Sequence, residues 1–211
     1  MTGPTHKQYS VLFACLTLML FYSFNVIDIE YYVMIPTVLA ISKAGALFPD
    51  VDHDWHNVHD KTVTNKIINT LIHATGGKHR SWQTHSIDIC FWFTLASYLA
   101  PVVLRDNGII NQASYGVLSL TLLSFASGWI SHLFADMMTS AGVRVFCFCK
   151  FKLRFVPKKI GKFRFNTGHE WEKFNYTAVK ILNIPLGIIV LVYPFIIDGT
   201  IPNFIKAIIN Y

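Results

Sequence analysis

Charged residues are scarce in this sequence. Of its 211 residues only 14% are charged, whereas 53% are hydrophobic and the mean hydropathy is +0.41. Roughly a quarter of the residues of a soluble domain are charged, so this composition excludes an ordinary soluble domain. Acidic residues are the rarer kind, with 12 Asp and Glu against 18 Lys and Arg, a net charge of +6. We expect one membrane domain over residues 1–211, with basic residues facing anionic lipid headgroups and no nucleic-acid partner.

Cysteine is also scarce, and several catalytic signatures are missing. The four cysteines form no C-x-x-C pair and no regular spacing: Cys15, Cys90, Cys147 and Cys149. We interpret them as free or buried thiols rather than disulfides or metal ligands. The G-x-S-x-G motif of serine hydrolases, the P-loop and the dinucleotide fingerprint are all absent. The chemistry must therefore be sought in other residue types.

Long apolar runs, in contrast, are abundant. Five runs approach or exceed the length needed to cross a hydrocarbon core of about 30 Å, at residues 9–27, 33–48, 87–104, 115–138 and 177–197. We expect the first run to be a retained helix rather than a cleaved signal peptide. The second carries Pro36 and Lys43, so it is either a tilted span or a helix shielded by protein.

The remaining segments complete the expected fold. Helical spacing of apolar residues over 62–73 predicts a short amphipathic helix, lying either on the membrane or over the site. Alternation over 143–155, continued at 162–165, predicts a basic β-hairpin. The sequence thus predicts an all-α membrane protein of about five transmembrane helices, with the amphipathic helix and the hairpin on one side.

An odd number of spans determines which loops share a side. The N-terminus and the segments 43–86 and 139–176 fall together, with every Lys and Arg except Arg105 and Lys206. The positive-inside rule makes that side cytoplasmic. All nine histidines fall there too, although these loops are longer and would collect most of them in any case.

The most concentrated polar chemistry is the stretch HRSWQTHS at residues 79–86. His79 and His85 are possible zinc ligands, and the planar fork of Arg80 suits phosphate or carboxylate oxygens. Taken alone, the stretch could equally be a polar loop whose side chains cap helices and form hydrogen bonds.

Two further groups of polar residues border the apolar runs. Asp50 and Asp52 follow the second run, and their alternative interpretation is solvated carboxylates. The nearby His53, His56 and His59 are interpreted as solvated rather than ligating. In the fourth run, His132 and Asp136 are four residues apart and share one helix face, which would aim both at one ion or at a neighbouring helix.

Taken in order, these motifs resemble the YdjM-like family of inner-membrane proteins, whose members are regarded as metal-dependent hydrolases. The matching motifs are TH at 5–6, PDVDH at 49–53, HRSWQTHS at 79–86, GWISHLFAD at 128–136 and GHEWE at 168–172. The resemblance implies metal and catalytic positions at His6, Asp50, His79, His85, His132 and Asp136. It also implies a late glutamate ligand, either Glu170 or Glu172, of which we take Glu172. The ligand layout is similar in kind to that of zinc-dependent phospholipase C and related nucleases.

These observations support the hypothesis of a metal-dependent hydrolase at the cytoplasmic face of the inner membrane. Two or three Zn²⁺ ions, or Mn²⁺ or Fe²⁺ in their place, would act on a phosphoester of a lipid or a lipid-linked substrate. Asp50 would ligate or bridge ions, Asp52 would orient ligands or act as a base, and Arg80 would hold a phosphoryl oxygen.

Two other classes of protein compete with this hypothesis. One is a non-enzymatic membrane protein with a structural metal site and a basic face that binds a partner. The other is a transporter, which predicts polar residues through several spans at mid-membrane depth. Here the polar residues gather at one end of the spans, which disfavours a transporter.

Overall fold

A computed structural model of the chain describes residues 2–24, 31–58, 61–155 and 170–197. It contains six helices, α1 Gly3–Ser23, α2 Tyr31–Leu47, α3 Val63–Ala74, α4 Ile87–Asp106, α5 Gln112–Met137 and α6 Glu170–Ile197. Short 3-10 turns follow α2 at Pro49–Asp52 and Trp55–Asn57, and two strands, β1 Val143–Arg144 and β2 Lys152–Leu153, pair antiparallel. The predicted all-α membrane fold with a small hairpin is confirmed. The expected hairpin continuation at 162–165 lies outside the described residues, as do His59 and His169.

Four helical segments of the described chain are long and apolar enough to cross a membrane. They are Val33–Asp52, Ile87–Asp106, Gln112–Met137 and Glu170–Ile197. The first predicted span is not among these four segments. Its helix, α1, carries His6, Lys7 and Gln8 in its first turns, and these residues lower its mean hydropathy. It nevertheless packs against α2, α5 and α6 and so forms a fifth helix of the bundle.

Helix α5 lies at the centre of the bundle, against α1, α2 and α4. Its approach to α2 is close because glycines lie at the crossing. A Cβ atom at Gly45 would collide with the backbone of Phe125, and one at Gly128 with the backbone of Ser42. Small residues at such crossings let helix backbones approach within a membrane, where packing drives association.

Helix α3 matches the predicted amphipathic helix. Thr62 caps it by accepting a hydrogen bond from the Asn65 backbone N–H, and a chain reversal at Gly76, with φ of 78°, follows its end. The stripe of Val63, Ile67 and Leu71 is exposed, as suits a helix on a membrane surface.

The opposite face of α3 holds the turn that follows α2. The buried Asn69 donates hydrogen bonds from Nδ2 to the carbonyl oxygens of Val51 and His53, the second at 2.7 Å. Helix α3 therefore packs over this turn and leaves its apolar stripe facing outwards. Packing of α3 over the turn that carries Asp50 is thus observed, and its position on the membrane surface stays a prediction.

The hairpin is attached to the start of α4. The Arg144 backbone N–H donates to the His85 carbonyl at 3.3 Å, and Asp88 accepts from the Cys147 N–H at 2.9 Å. Cys147 itself lies in the turn between the strands, and all four cysteines are free thiols, as expected.

Candidate metal centre

Four helix ends bring the candidate ligands together at one end of the bundle. His6 comes from the first turns of α1, and Asp50 from the turn after α2. His85 lies just before α4, while His132 and Asp136 project from the last turns of α5. Successive helices of the bundle run in opposite directions, as inferred from the number of spans, so the starts of α1 and α4 lie beside the ends of α2 and α5.

The innermost ligand group comprises His6, His132 and Asp136, and all three are buried. Nε2 of His6 lies 3.8 Å from Oδ1 of Asp136, and Nε2 of His132 lies 3.8 Å from Oδ2 of the same carboxylate. The two imidazole rings stack with centroids 3.7 Å apart. Nδ1 of His6 is buried, and no hydrogen-bond partner for it is found in the described chain.

A second group comprises Asp50, His85 and His132. Nε2 of His85 lies 3.2 Å from Nε2 of His132 and 3.7 Å from Oδ2 of Asp136. Oδ1 of Asp50 is 3.8 Å from Nε2 of His132. His132 thus belongs to both groups, and His85 lies between the carboxylates of Asp50 and Asp136.

The outer hydrogen bonds of these histidines fix their tautomers. Nδ1 of His132 lies 2.7 Å from the Ala46 carbonyl oxygen, which can only accept, so that nitrogen carries a proton. Nδ1 of His85 lies 3.1 Å from a carboxylate oxygen of Asp52, which likewise places its proton there. In the neutral form of both rings, the two Nε2 lone pairs point at each other across 3.2 Å. A cation bound between them removes this repulsion, so the residues present fit a metal ion.

A third, outer group comprises Asp50, His53 and His79. Nε2 of His53 lies 3.7 Å from Oδ1 of Asp50, and the His53 and His79 rings stack with centroids 3.5 Å apart. The side chains of His53 and His79 are 30% and 41% exposed, so this end of the centre is open to solvent. Burial, with the neighbouring His79, lowers the pKa of His53, which favours the neutral ring that binds metal.

Asp52 is fully buried and organises the ligands around it. Its carboxylate accepts hydrogen bonds from Nδ1 of His79 at 3.2 Å and Nδ1 of His85 at 3.1 Å. It also accepts from the Ser81 backbone N–H at 2.9 Å and the Thr84 hydroxyl at 2.7 Å. With both oxygens accepting, its contacts suit a positioning role better than that of a base.

Arg80 borders the centre on the side of Asp136. Its Nη2 donates to Oδ1 of Asp136 at 3.3 Å, and its side chain is 20% exposed. Its backbone has a φ of 61°, in the left-handed region that a non-glycine residue rarely adopts. The turn thereby directs the guanidinium at the centre.

The late glutamate is placed differently from the other predicted ligands. Glu172 is buried and accepts hydrogen bonds from the hydroxyls of Thr2, at 2.9 Å, and of Thr5, which directly precedes His6, at 3.0 Å. In the described part of the chain it does not join the three ligand groups. Glu170 is exposed and pairs with Lys173 at 2.9 Å.

The structure thus brings together most of the predicted metal ligands, namely His6, Asp50, His79, His85, His132 and Asp136. It adds His53, which the sequence analysis interpreted as a solvated residue. The sequence feature that could have indicated this role is the spacing of three residues between Asp50 and His53 across a tight turn. His56 is exposed and lies outside the three groups, as expected.

Comparisons with known proteins agree with the motif resemblance. A search of curated proteins and a search of solved structures found no significant match. A model of the family described as YdjM inner membrane protein matches residues 1–197. The match extends from the first helix to the end of the last described helix and includes every ligand of the three groups. The chain therefore belongs to the YdjM family of inner membrane proteins.

Proposed function

We propose that this protein is a membrane-embedded, metal-dependent hydrolase that cleaves a phosphoester of a lipid or lipid-linked substrate. The observation that carries the proposal is the convergence of imidazoles and carboxylates from four helix ends, with the Nε2 atoms of His85 and His132 facing each other at 3.2 Å. Buried polar groups are costly unless they are paired, and a bound cation is the partner that satisfies this arrangement.

Two zinc ions suit the ligand set best, although Mn²⁺ and Fe²⁺ accept the same donors. The tautomers leave His85 and His132 one lone pair each, so neither ring can serve two ions. His6, His132 and Asp136 would hold one ion, and Asp50, His53 and His79 would hold the other. His85 would add one ligand to either ion, because its Nε2 lies near both His132 and Asp136. Bound ions would supply Lewis-acid polarisation and charge neutralisation at a phosphoryl group.

The protein's own residues have separate tasks in this proposal. Asp52 holds the His79 and His85 rings in one tautomer and orientation, as carboxylates behind metal-binding histidines commonly do. Arg80 donates to a non-bridging phosphoryl oxygen and so orients the substrate beside Asp136. The exposed His53 and His79 mark the side from which substrate and water enter.

Apolar cavities between the helices support a lipid substrate. One of about 560 Å³ lies between α1, α4 and α5 and is lined by residues such as Leu20, Tyr98 and Leu123. A second of about 250 Å³ shares Thr94 and Ile130 with it and continues along α4 and α5 towards the end that carries the centre. Together they offer a hydrocarbon chain a path inside the membrane.

The charge distribution supports a cytoplasmic orientation of the centre. Residues such as Lys78, Arg144 and Lys152 share the end of the bundle that carries the ligands, whereas Arg105 closes α4 at the other end. Positively charged loops are retained on the cytoplasmic side during insertion. The substrate headgroup would then come from the inner leaflet.

A non-enzymatic protein with a structural metal site is the second candidate. The observation in its favour is that His6, His132 and Asp136 are almost fully buried, like the closed ligand sets of structural zinc sites. Catalytic sites keep an open position, and the exposure of His53 and His79 in the outer group supports the enzyme. We therefore favour the enzyme.

Metal analysis combined with an activity assay tests the proposal. Purified protein should contain about two equivalents of metal and hydrolyse a lipid phosphoester in vesicles. His85→Ala should lower both the metal content and the hydrolysis. His56→Ala removes an exposed histidine outside the groups and should change neither. Less than one equivalent of metal, unaffected by His85→Ala, would refute the metal centre. Full occupancy without hydrolysis of any lipid phosphoester would instead support the structural candidate.

A further inference from the structure

Three basic side chains lie together beside the metal centre, on its Asp136 side. Arg144 in β1 is the direct cross-strand partner of Lys152 in β2, so both side chains project from the same face of the hairpin. The Arg144 backbone is bonded to the His85 carbonyl, which places this face next to the ligands. Arg80 approaches from the turn before α4.

This arrangement concentrates positive charge. Burial, followed by Arg144, Arg80 and Arg154, lowers the pKa of Lys152, and Asp136 raises it by less. Like charges directly opposite each other on paired strands destabilise a hairpin. Arg80 and Asp136 form the one ion pair found among these three cations and the described acids. The fold therefore maintains a repulsive cluster that a bound anion would relieve.

One nitrogen atom of each of two guanidinium groups in this cluster also lacks an acceptor in the described chain. Nη1 of Arg80 and Nε of Arg144 are buried, and within the described chain neither has a hydrogen-bond partner. Buried donors are nearly always satisfied, and leaving one unpaired is unfavourable. A guanidinium fork matches the oxygens of a phosphate group, so phosphate oxygens would satisfy both donors.

We propose that Arg80, Arg144 and Lys152 form a subsite for a dianionic phosphate group, as carried by a phosphomonoester or a diphosphate. The inference rests on the proposed function and narrows its substrate class. A phosphodiester bears a single negative charge, whereas a phosphate monoester bears about −1.5 to −2 at neutral pH. A cluster of three cations with one paired acid selects the more highly charged headgroup.

Binding measurements without turnover test the subsite. Purified protein in detergent is titrated with inorganic pyrophosphate by calorimetry. Retention of phosphatidic acid, a monoester, is compared with that of phosphatidylglycerol, a diester, by native mass spectrometry. Wild-type protein should bind pyrophosphate and retain phosphatidic acid at least tenfold more strongly than phosphatidylglycerol.

The variants distinguish the cluster from general surface charge. Arg144→Gln and Lys152→Gln should each weaken pyrophosphate binding about tenfold and reduce the preference for phosphatidic acid. Lys150→Gln removes an exposed cation from the same hairpin and should leave both measurements unchanged. Metal content and the melting temperature of each variant verify that the centre and the fold are intact, and Lys152→Gln serves if Arg144→Gln does not fold.

Each outcome has a defined meaning. Absence of pyrophosphate binding, or pyrophosphate binding that is unchanged in both cluster variants, would overturn the subsite even if the protein hydrolyses lipids. Pyrophosphate binding that depends on Arg144, without preference for phosphatidic acid, would support the subsite and assign it to a soluble phosphate compound. Binding that survives in protein without metal would support the subsite independently of the hydrolase proposal.

Discussion

Asp52 shows how one buried side chain can control several ligands. It has no solvent exposure, and it holds the Nδ1 atoms of both His79 and His85. The sequence suggested an orienting role or a basic role without separating them. The hydrogen bonds that both oxygens of its carboxylate accept favour the first role, because a base needs a free oxygen that faces the substrate.

Replacing this carboxylate should therefore weaken metal binding without removing a ligand. Asp52→Asn presents an amide that cannot accept from both histidines, so their rings lose a fixed orientation. We expect metal affinity to fall about 10–100-fold, measured by competition with a chromogenic chelator. Asp54→Asn changes an exposed carboxylate two residues away and should have no effect. Equal affinities for Asp52→Asn and wild type would contradict the positioning role.

At the residue scale, the sequence predicted ligands where spacing or topology constrained them. His132 and Asp136 share a face because they are one helical turn apart, and His85 faces them because of the direction of α4. His53 could not be predicted in this way. Its position depends on a turn that Asn69, 16 residues further along the chain, holds by a hydrogen bond.

Helix α3 acts on the centre through this contact. Asn69→Ala would remove the Nδ2 donor shared by the Val51 and His53 carbonyls. The His53 carbonyl would keep a longer contact with His73 Nε2 at 3.4 Å, whereas loss of the donor to a buried carbonyl costs about 1–3 kcal/mol. We expect lower thermal stability and reduced metal content, measured by differential scanning fluorimetry and elemental analysis. Thr70→Ala alters an exposed neighbour on the same helix and should leave metal content unchanged. A fully loaded Asn69→Ala protein would show that α3 does not support the ligands.

The crossing of α2 and α5 leaves no room for an additional side-chain atom at Gly45 or Gly128. Gly128→Ala would force a methyl group into the Ser42 backbone and separate the two helices that carry Asp50 and His132. Overpacking costs about 1–3 kcal/mol in well-packed cores, so the melting temperature in detergent should fall. Gly187→Ala, in α6, meets no atom within 4 Å and serves as the control. It should melt at or above the wild-type temperature, because alanine favours helix over glycine. Equal melting of Gly128→Ala and wild type would contradict this close packing.

Element boundaries were predictable only where hydropathy marks them. Helix α4 begins at Ile87, as predicted, because the polar stretch HRSWQTHS ends there and, apart from Asp88, the first turns that follow are apolar. Helix α6 begins at Glu170 rather than at 177, because its first turns carry polar residues. Two of these, Glu172 and Asn175, are buried against α1 by hydrogen bonds to Thr5 and Tyr9. A search for apolar runs cannot detect such a helix start.

For the whole molecule, native cysteines provide a test of orientation. Cys147 and Cys149 are partly exposed at the end that carries the centre, whereas Cys15 and Cys90 are buried. If that end faces the cytoplasm, a membrane-impermeant maleimide should label wild-type protein only after spheroplasts are permeabilised. Asn107→Cys, at the opposite end, should add labelling in intact spheroplasts. Labelling of the wild type in intact spheroplasts would reverse the assigned orientation.

The convergence of helix ends on buried ligands has a consequence for the stability of the protein in the cell. One ion would join α1 to α5, and the other would join the turn after α2 to the segment before α4. Both ions would therefore connect segments far apart in the chain, and their binding free energy would add to that of folding. A cell starved of transition metals would then lose more than an activity. We expect chelator-treated membranes to yield protein that proteases cut in the connecting loops, with protection restored when zinc is resupplied.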